Sequence, residues 1–187
     1  MTVAIAKWTV EEYLQLVRTG LLDEKPVELL AGDFVEMAPE GPLHSSRIKK
    51  SSRVLRKVVP PEFEVSEAHP ITLARSVPEP DLAIVVLDET NENDFRHPNA
   101  SETKLVIEFA MSSLDKDLGP KRSLYAEAGI PEYWVVDLAE DVGDRRVIVL
   151  TEPKDGDYAQ EEILKAGMVR SRMLPGVEIA ASILLGN

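Results

Sequence analysis

A glutamate in the middle of an apolar segment constrains the fold of this chain more than any other feature. The segment Lys104–Met111 has the length and the β-branched composition of a buried strand. Side chains alternate along a strand, so Glu108 shares one face with Val106 and Ala110. Both faces are apolar, which favours a central strand over an edge strand with Glu108 in solvent. An isolated buried carboxylate is costly, so Glu108 requires a metal, a cation or a proton as partner.

Two charged residues elsewhere in the chain are candidate partners of Glu108. Asp81 follows Pro80 and opens a second apolar run, although an aspartate after a proline is also common in turns. Lys121 lies three residues after Leu118 on the apolar stripe of a predicted helix. The alternative for Lys121 is a stem that lies on apolar surface while the ammonium stays in water. Two adjacent carboxylates repel unless a cation joins them, and Mg²⁺ or Mn²⁺ prefers such oxygen ligands.

Length and composition exclude several classes of protein. The 187 residues suit one domain with its own core. No apolar run approaches the roughly 18–20 residues that a membrane span needs, and the first residues lack the pattern of a signal peptide. The absence of cysteine excludes a disulfide scaffold, a thiolate zinc site and a cysteine nucleophile. We therefore expect a cytoplasmic protein without membrane association.

A cluster of positive charge departs from the acidic composition of the chain, whose formal net charge is −12. Residues 43–59 are predicted to form a helix without acidic residues. The helix carries six basic residues: Arg47, Lys49, Lys50, Arg53, Arg56 and Lys57. Such a face is most often simply solvated, and an acidic chain repels nucleic acid at long range. If phosphates dock on this chain, the residues that we expect to bind them are Arg47, Lys50, Arg53 and Lys57.

The order of the predicted elements indicates one α/β domain, residues 1–187, with a mixed sheet. Helices are predicted from the Thr9 cap to Val17, at 43–59 and at Leu118–Ala128. Strands are predicted at Phe63–Ala68, Ile71–Ala74, Asp81–Leu87, Lys104–Met111 and Tyr133–Asp137. An N-terminal hairpin is predicted from Val27–Ala31 and Phe34–Met37, and a C-terminal hairpin from Arg146–Leu150 and Tyr158–Leu164.

The arrangement of motifs resembles the Uma family of restriction-endonuclease-like bacterial proteins and, more broadly, the PD-(D/E)XK nuclease superfamily. The resemblance covers nearly the whole chain. The motifs that carry it are Trp8–Tyr13, Val27–Met37, Gly41–His44, Pro78–Leu82, Val106–Glu108, Asp117–Lys121, Leu124–Ala126 and Ala128–Trp134. Each motif is weak alone, whereas their order and spacing together are specific.

The resemblance implies a restriction-endonuclease-like core, αβββαβ, in which the metal carboxylates lie on the second and third core strands. Asp81 and Glu108 match these two positions. The superfamily lysine usually follows two residues after the glutamate, where this chain has Ala110. Lys121 matches a lysine that has moved to the following helix. The fold expectation is therefore a mixed central sheet flanked by helices, with an extra N-terminal helix and hairpin and a C-terminal hairpin.

The implied activity is that of an endonuclease that depends on Mg²⁺ or Mn²⁺ and hydrolyses phosphodiester bonds in nucleic acid, with DNA as the expected substrate. Asp81 and Glu108 would hold the metal, and Lys121 would position the attacking water or neutralise developing charge. Glu28 and His44 match further polar positions of the family. We expect Glu28 to assist at the metal and His44 to orient a ligand or contact phosphate.

Two alternatives remain open at the level of the sequence. The first is a catalytically inactive binding or interaction module on the same fold, which the net charge of −12 and the missing cation at Ala110 favour. The second is an acidic regulatory homodimer with Tyr133 and Trp134 at its interface, although a tryptophan in such a segment is more often a core residue.

Overall fold

A six-stranded mixed sheet forms the centre of the computed structural model, which describes residues 6–90 and 96–186. In chain order the strands are β1 (Val27–Leu30), β2 (Asp33–Glu36), β3 (Phe63–Glu67), β4 (Leu82–Val86), β5 (Thr103–Ala110), β6 (Glu132–Asp137), β7 (Arg146–Lys154), β8 (Asp157–Leu164), β9 (Met168–Arg170) and β10 (Glu178–Ala180). The central sheet has the order β3-β4-β5-β6-β7-β8. Strands β5 and β6 are parallel, and the other neighbouring pairs in this sheet are antiparallel.

Helices other than the first cover both faces of this sheet. The helices are α1 (Val10–Arg18), α2 (Pro42–Val58), α3 (Leu114–Lys116), α4 (Arg122–Glu127) and α5 (Ala181–Leu185), and a π-helical turn at Asp117–Lys121 joins α3 to α4. On one face Ile107 of β5 packs in a cluster with Leu55 of α2 and Leu184 of α5. On the other face Val106 packs in a cluster with Tyr125 of α4. Both faces of β5 are therefore apolar, as predicted for a central strand.

The succession α2-β3-β4-β5-α4-β6 confirms the predicted αβββαβ core. The N-terminal helix with its hairpin, β1–β2, and the C-terminal hairpin, β7–β8, are also confirmed. Within the described residues, no helix is long and apolar enough to cross a membrane. The assignment of residues 1–187 to a single domain stays a prediction.

The strand predicted at Ile71–Ala74 is wrong. Ile71 and Leu73 are buried, but their N–H groups donate to Pro78 and Ser76 across a tight loop. Thr72 makes a single isolated bridge to the loop before β5. The apolar residues of this segment cover the α4 side of the sheet from a loop, and the hydrophobic pattern alone does not distinguish these two roles.

The helix predicted at Leu118–Ala128 begins earlier, at Leu114, and is interrupted by the π-helical turn. Pro120 lies inside that turn and has no N–H to donate, so the regular helical hydrogen-bond ladder cannot continue through it. The turn gives way to α4 at Arg122. The short strands β9 and β10 and helix α5 were not predicted.

The N-terminal segment forms a small cluster of its own beside the sheet. Thr9 and Glu12 form the predicted capping box at the start of α1. Tyr13 of α1 packs with Leu29 of β1 and with Val77, and a bridge between Leu29 and Val77 ties the hairpin to the loop before β4. This attachment places the residue before Leu29, Glu28, beside the central sheet.

Candidate active site

The structure brings all five candidate catalytic residues into one cleft of about 630 Å³. The cleft lies where β4 begins and β5 ends, and Glu108 and Phe109 of β5 line it. The residues that reach it come from five separate parts of the chain: Glu28, His44, Asp81, Glu108 and Lys121. Their convergence is a property of the fold, because none of them is adjacent to another in sequence.

The antiparallel pairing of β4 with β5 explains why Asp81 meets Glu108. The register pairs Leu82 with Ile107, so Asp81, one residue before β4, lies opposite Glu108. The backbone N–H of Phe109 donates a hydrogen bond of 2.6 Å to Oδ2 of Asp81. Asp81 is therefore fixed by the strand that carries Glu108, just outside the strand predicted to contain it.

Glu108 is 4% exposed, which excludes the alternative of an edge strand with this residue in solvent. Its Oε1 accepts hydrogen bonds from Nζ of Lys121 at 2.9 Å and from the Tyr125 hydroxyl at 2.8 Å. Burial raises the pKa of Glu108 to about 8, with Lys121 opposing the rise and Asp81 adding to it. This carboxylate therefore lies where a further cation would favour its ionised form.

Lys121 is 3% exposed, so the alternative in which its ammonium lies in water is wrong. Its Nζ lies 2.9 Å from Oε1 of Glu108 and 3.2 Å from Oε2 of Glu28. Burial lowers the pKa of Lys121, but the charges of Glu108 and Glu28 outweigh burial and raise it. Lys121 is therefore a protonated cation enclosed between two carboxylates.

Glu28 is held by cations on both of its oxygens. Its Oε1 accepts from Nζ of Lys116 at 2.9 Å, while Oε2 faces Lys121 and accepts from the Glu79 N–H at 3.3 Å. The side chain is 1% exposed. In this arrangement Glu28 fixes two lysines at the cleft, and its role in assisting a metal stays a proposal.

His44 reaches the cleft from the first turn of α2. Its Nε2 lies 3.2 Å from Oδ2 of Asp81, and its ring packs edge-on against Phe109. Burial lowers the pKa of His44, but the hydrogen bond and charge of Asp81 with the charge of Glu40 outweigh burial, so the pKa is raised. Ligand atoms of Glu40, His44 and Asp81 all lie within 4.8 Å of one another.

The donor set of this cleft fits a hard divalent cation. Oδ2 of Asp81 and Oε1 of Glu108 are occupied by protein donors. No hydrogen bond from the described residues reaches Oδ1 of Asp81 or Oε2 of Glu108. Each carboxylate is thus anchored through one oxygen, and carboxylate oxygens are the ligands that Mg²⁺ or Mn²⁺ prefers.

Comparison with protein families identifies the family of this chain. The model of a family described as "Putative restriction endonuclease" matches residues 10–182. The chain belongs to the Uma2 family. This result confirms the resemblance that the motifs indicated.

The fold of this Uma2 chain is shared with a solved structure. A crystal structure described as a "putative nuclease belonging to DUF820" from Anabaena variabilis aligns with a TM-score of 0.68 and 16% identity. The alignment covers 95% of this chain and 97% of that chain. At this identity the likeness establishes a common, nuclease-like fold. No curated protein matches the sequence.

Several cleft residues of this Uma2 chain were not assigned from the sequence. Tyr125, Lys116, Asp117 and Glu40 all lie in or against the site. Tyr125 follows Lys121 by four residues on the predicted inward stripe, which is a signal that it faces the same site. The sequence gives no such signal for Lys116. The π-helical turn that follows Lys116 breaks the regular helical spacing that would relate its side-chain direction to that of Lys121.

The basic residues of α2 lie mostly on its solvent face. Lys50, Arg53 and Lys57 are exposed and do not line the cleft. Arg47 is half-buried, and its Nη1 lies 3.5 Å from the Ile183 carbonyl of α5. The structure thus leaves three of the four proposed phosphate-binding residues exposed, while Arg47 contacts the C-terminal helix.

Tyr133 and Trp134 are both fully buried in β6. The Trp134 indole donates to Glu132 at 2.7 Å, and the Tyr133 hydroxyl donates to the Asp117 carbonyl at 3.1 Å. The hypothesis that these two side chains form a dimer interface is therefore wrong, because neither reaches the surface. A homodimer through some other surface stays a prediction.

Proposed function

We propose that this protein is a divalent-metal-dependent endonuclease that hydrolyses phosphodiester bonds in nucleic acid, with DNA as the expected substrate. The observation that carries the proposal is the convergence of Asp81, Glu108 and Lys121 in one cleft of a nuclease-like fold. Membership of the Uma2 family supports it independently.

Asp81 and Glu108 are proposed to hold Mg²⁺ or Mn²⁺ through the carboxylate oxygens that the protein leaves free. When bound, such a cation lowers the pKa of water and polarises a phosphate oxygen. The cleft also contains Glu28, Glu40 and Asp117, so its negative charge exceeds that of its lysines. An anionic phosphodiester would be repelled from this cleft without a cation, which is why the activity is expected to require a metal.

The residues around these carboxylates are proposed to fix their positions. The Phe109 N–H and His44 hold Asp81, while Lys121 and Tyr125 hold Glu108. Lys121 also offsets the charge of Glu108 while that side chain is buried. Positioning of this kind places the ligands before the substrate arrives, so little reorganisation is needed during the reaction.

The test is plasmid nicking with Mg²⁺ or Mn²⁺, run beside a chelator. Asp81→Asn should lower the rate by about 100-fold or more, because the cation loses a negatively charged ligand while the shape of the residue is kept. Lys121→Ala should also lower the rate. Asp144→Asn makes the same chemical change as Asp81→Asn on an exposed turn and should leave the rate unchanged. Equal nicking by the wild type and Asp81→Asn would contradict the mechanism.

A catalytically inactive binding module is the second candidate. The enclosure of Lys121 between Glu28 and Glu108 favours it, since a closed ion pair satisfies Glu108 without a metal. Calorimetry with Mn²⁺ separates the two candidates. Binding that Asp81→Asn weakens supports the metal site, whereas the absence of heat in the wild type supports the inactive module.

A further inference from the structure

Two lysines share the carboxylate of Glu28, but they differ in what surrounds them. Lys121 lies between Glu28 and Glu108, and its side chain is 4% exposed. Both carboxylates lie within 3.2 Å of its Nζ. A cation that is already enclosed by two anions has little remaining charge or surface to offer a third.

Lys116 occupies the rim of the same cleft. Its Nζ lies 2.9 Å from Oε1 of Glu28, and its side chain is 27% exposed. It lines the cleft together with Asp81 and Glu108. Lys116 ends α3 immediately before the π-helical turn that carries Lys121, so the two ammonium groups approach Glu28 from one continuous helical segment.

The two lysines also differ in which partners Glu28 and Glu108 would keep if the lysine moved away. When Lys116 turns away from Glu28, that carboxylate keeps Lys121 and the Glu79 N–H as partners. When Lys121 moves, Glu28 and Glu108 both lose a cation while they remain buried. Water can solvate the partly exposed Lys116 when it leaves Glu28, whereas a buried charge without a partner is costly. Lys116 is therefore the lysine that is free to change partners.

We propose that Lys116 is the residue that contacts the phosphodiester in this cleft, and that Lys121 is a positioning residue that holds Glu28 and Glu108. This division of roles rests on the proposed nuclease function and deepens it. Lys116 exchanges Glu28 for a substrate phosphate oxygen, to which its ammonium donates a charge-assisted hydrogen bond. Lys121 remains between its two carboxylates throughout.

The proposal is tested with Lys116→Gln, Lys116→Arg and Lys121→Gln, with Lys154→Gln as the control. Lys154 is exposed at the end of β7 and lies outside the cleft. The measurements are the affinity for a short labelled DNA duplex with Ca²⁺ present, the affinity for Mn²⁺, the thermal midpoint, and KM and kcat for nicking.

We expect Lys116→Gln to weaken duplex binding and raise KM by about tenfold or more, as the loss of one charge-assisted hydrogen bond predicts. It should leave Mn²⁺ affinity and the thermal midpoint close to those of the Lys154→Gln control. Lys116→Arg should retain duplex affinity, because the charge is kept. Lys121→Gln should instead lower the thermal midpoint and weaken Mn²⁺ binding, since the buried Glu108 then lacks its cation and the contact that orients it, while Glu28 keeps Lys116.

The outcomes separate this proposal from the proposed function. If the wild type binds the duplex but nicks nothing, the nuclease proposal fails, and the duplex affinity of the lysine variants still decides the role of Lys116. If the wild type nicks and Lys116→Gln matches the control in duplex affinity and KM, the role of Lys116 is overturned while the nuclease stands. Loss of duplex binding in Lys121→Gln with unchanged Mn²⁺ affinity and thermal midpoint would also overturn it.

Discussion

At the scale of single residues, the hydroxyl of Tyr125 fixes the rotamer of Glu108. This hydroxyl and Lys121 donate to the same oxygen, Oε1, so the other oxygen is directed away from both donors. Tyr125 is fully buried and packs edge-on against Tyr133, with ring centroids 5.0 Å apart. Its ring therefore contributes to the core, while its hydroxyl contributes to the orientation of a proposed metal ligand.

Tyr125→Phe separates these two contributions, because it keeps the ring and removes the hydroxyl. We expect Mn²⁺ affinity to fall by about tenfold, which is typical when a hydrogen bond to a metal ligand is removed. The free energy of unfolding should fall by about 1–2 kcal/mol, because a buried carboxylate loses one donor. Calorimetry and urea denaturation measure the two effects.

Tyr158→Phe is the matched control for this residue. The Tyr158 hydroxyl is also buried, but it donates to the Ile130 carbonyl at 2.9 Å and does not touch the cleft. This variant should lose a similar amount of stability and no Mn²⁺ affinity. Equal loss of Mn²⁺ affinity in both tyrosine variants would show that Tyr125 acts through general stability alone.

At the scale of elements, strand β5 depends on the turn that leads into it. Glu102, just before β5, accepts hydrogen bonds from the Asn99 N–H at 2.8 Å and from both terminal nitrogens of Arg96 at 2.7 Å. The hydrogen bond from Arg96 is the largest cause that lowers the pKa of Glu102 below 4.5. The Glu102 carboxylate therefore closes the turn at the start of the strand that carries Glu108.

Glu102→Gln should lower the free energy of unfolding at neutral pH by about 0.5–1 kcal/mol, a small value because solvent screens this partly exposed pair. The folded-state pKa is depressed, so the stability that the carboxylate adds is present above 4.5 and is lost as pH falls through the folded-state pKa. Urea denaturation of the two proteins should thus differ at neutral pH and converge in acid. A constant difference at all pH values would contradict this explanation.

The elements that the sequence predicts correctly are those with strong local signals. Strand β5 is apolar on both faces around Glu108, and α1 has a capping box at Thr9. The segment from Ile71 to Ala74 has a similar apolar composition, yet its backbone closes a loop between prolines. The conformation of such a segment depends on which backbone groups its own N–H and C=O groups bond to. Those partners are set by the tertiary fold and not by the local sequence.

The candidate site shows the same contrast between residues with local sequence signals and residues placed by non-local contacts. Asp81 and Glu108 were predictable as partners because an unpaired charge on a central strand requires one. The contact of Lys116 with Glu28 was not predictable, because it joins residues 88 positions apart and Lys116 lies in an irregular segment just before a π-helical turn. Residue spacing along a regular helix does not predict a contact of this kind.

At the scale of the whole molecule, positive charge is concentrated on one helix. The chain has a net charge of −12, yet α2 carries six basic residues and no acidic one. Lys50, Arg53 and Lys57 are exposed on this helix, whose first turn carries His44 into the cleft. A nucleic acid that is repelled by most of the surface would thus meet an attractive face on α2.

Replacing Lys50, Arg53 and Lys57 together by Gln tests whether this face binds phosphates. If each residue neutralises one phosphate, the slope of log affinity against log salt should become shallower by about 3, and duplex binding at low salt should weaken strongly. The measurement is binding of a labelled duplex in a chelator, between about 50 and 200 mM salt.

The control for this triple variant replaces Lys104, Lys154 and Lys165 by Gln, which changes the net charge by the same amount away from α2. Long-range repulsion depends on net charge and affects both triple variants alike, whereas the loss of phosphate contacts affects only the α2 variant. A salt slope that falls in the α2 variant and stays constant in the control therefore assigns the contacts to this helix. Equal weakening in both variants with unchanged slopes would mean that α2 is a solvated face and that the substrate reaches the cleft by another surface.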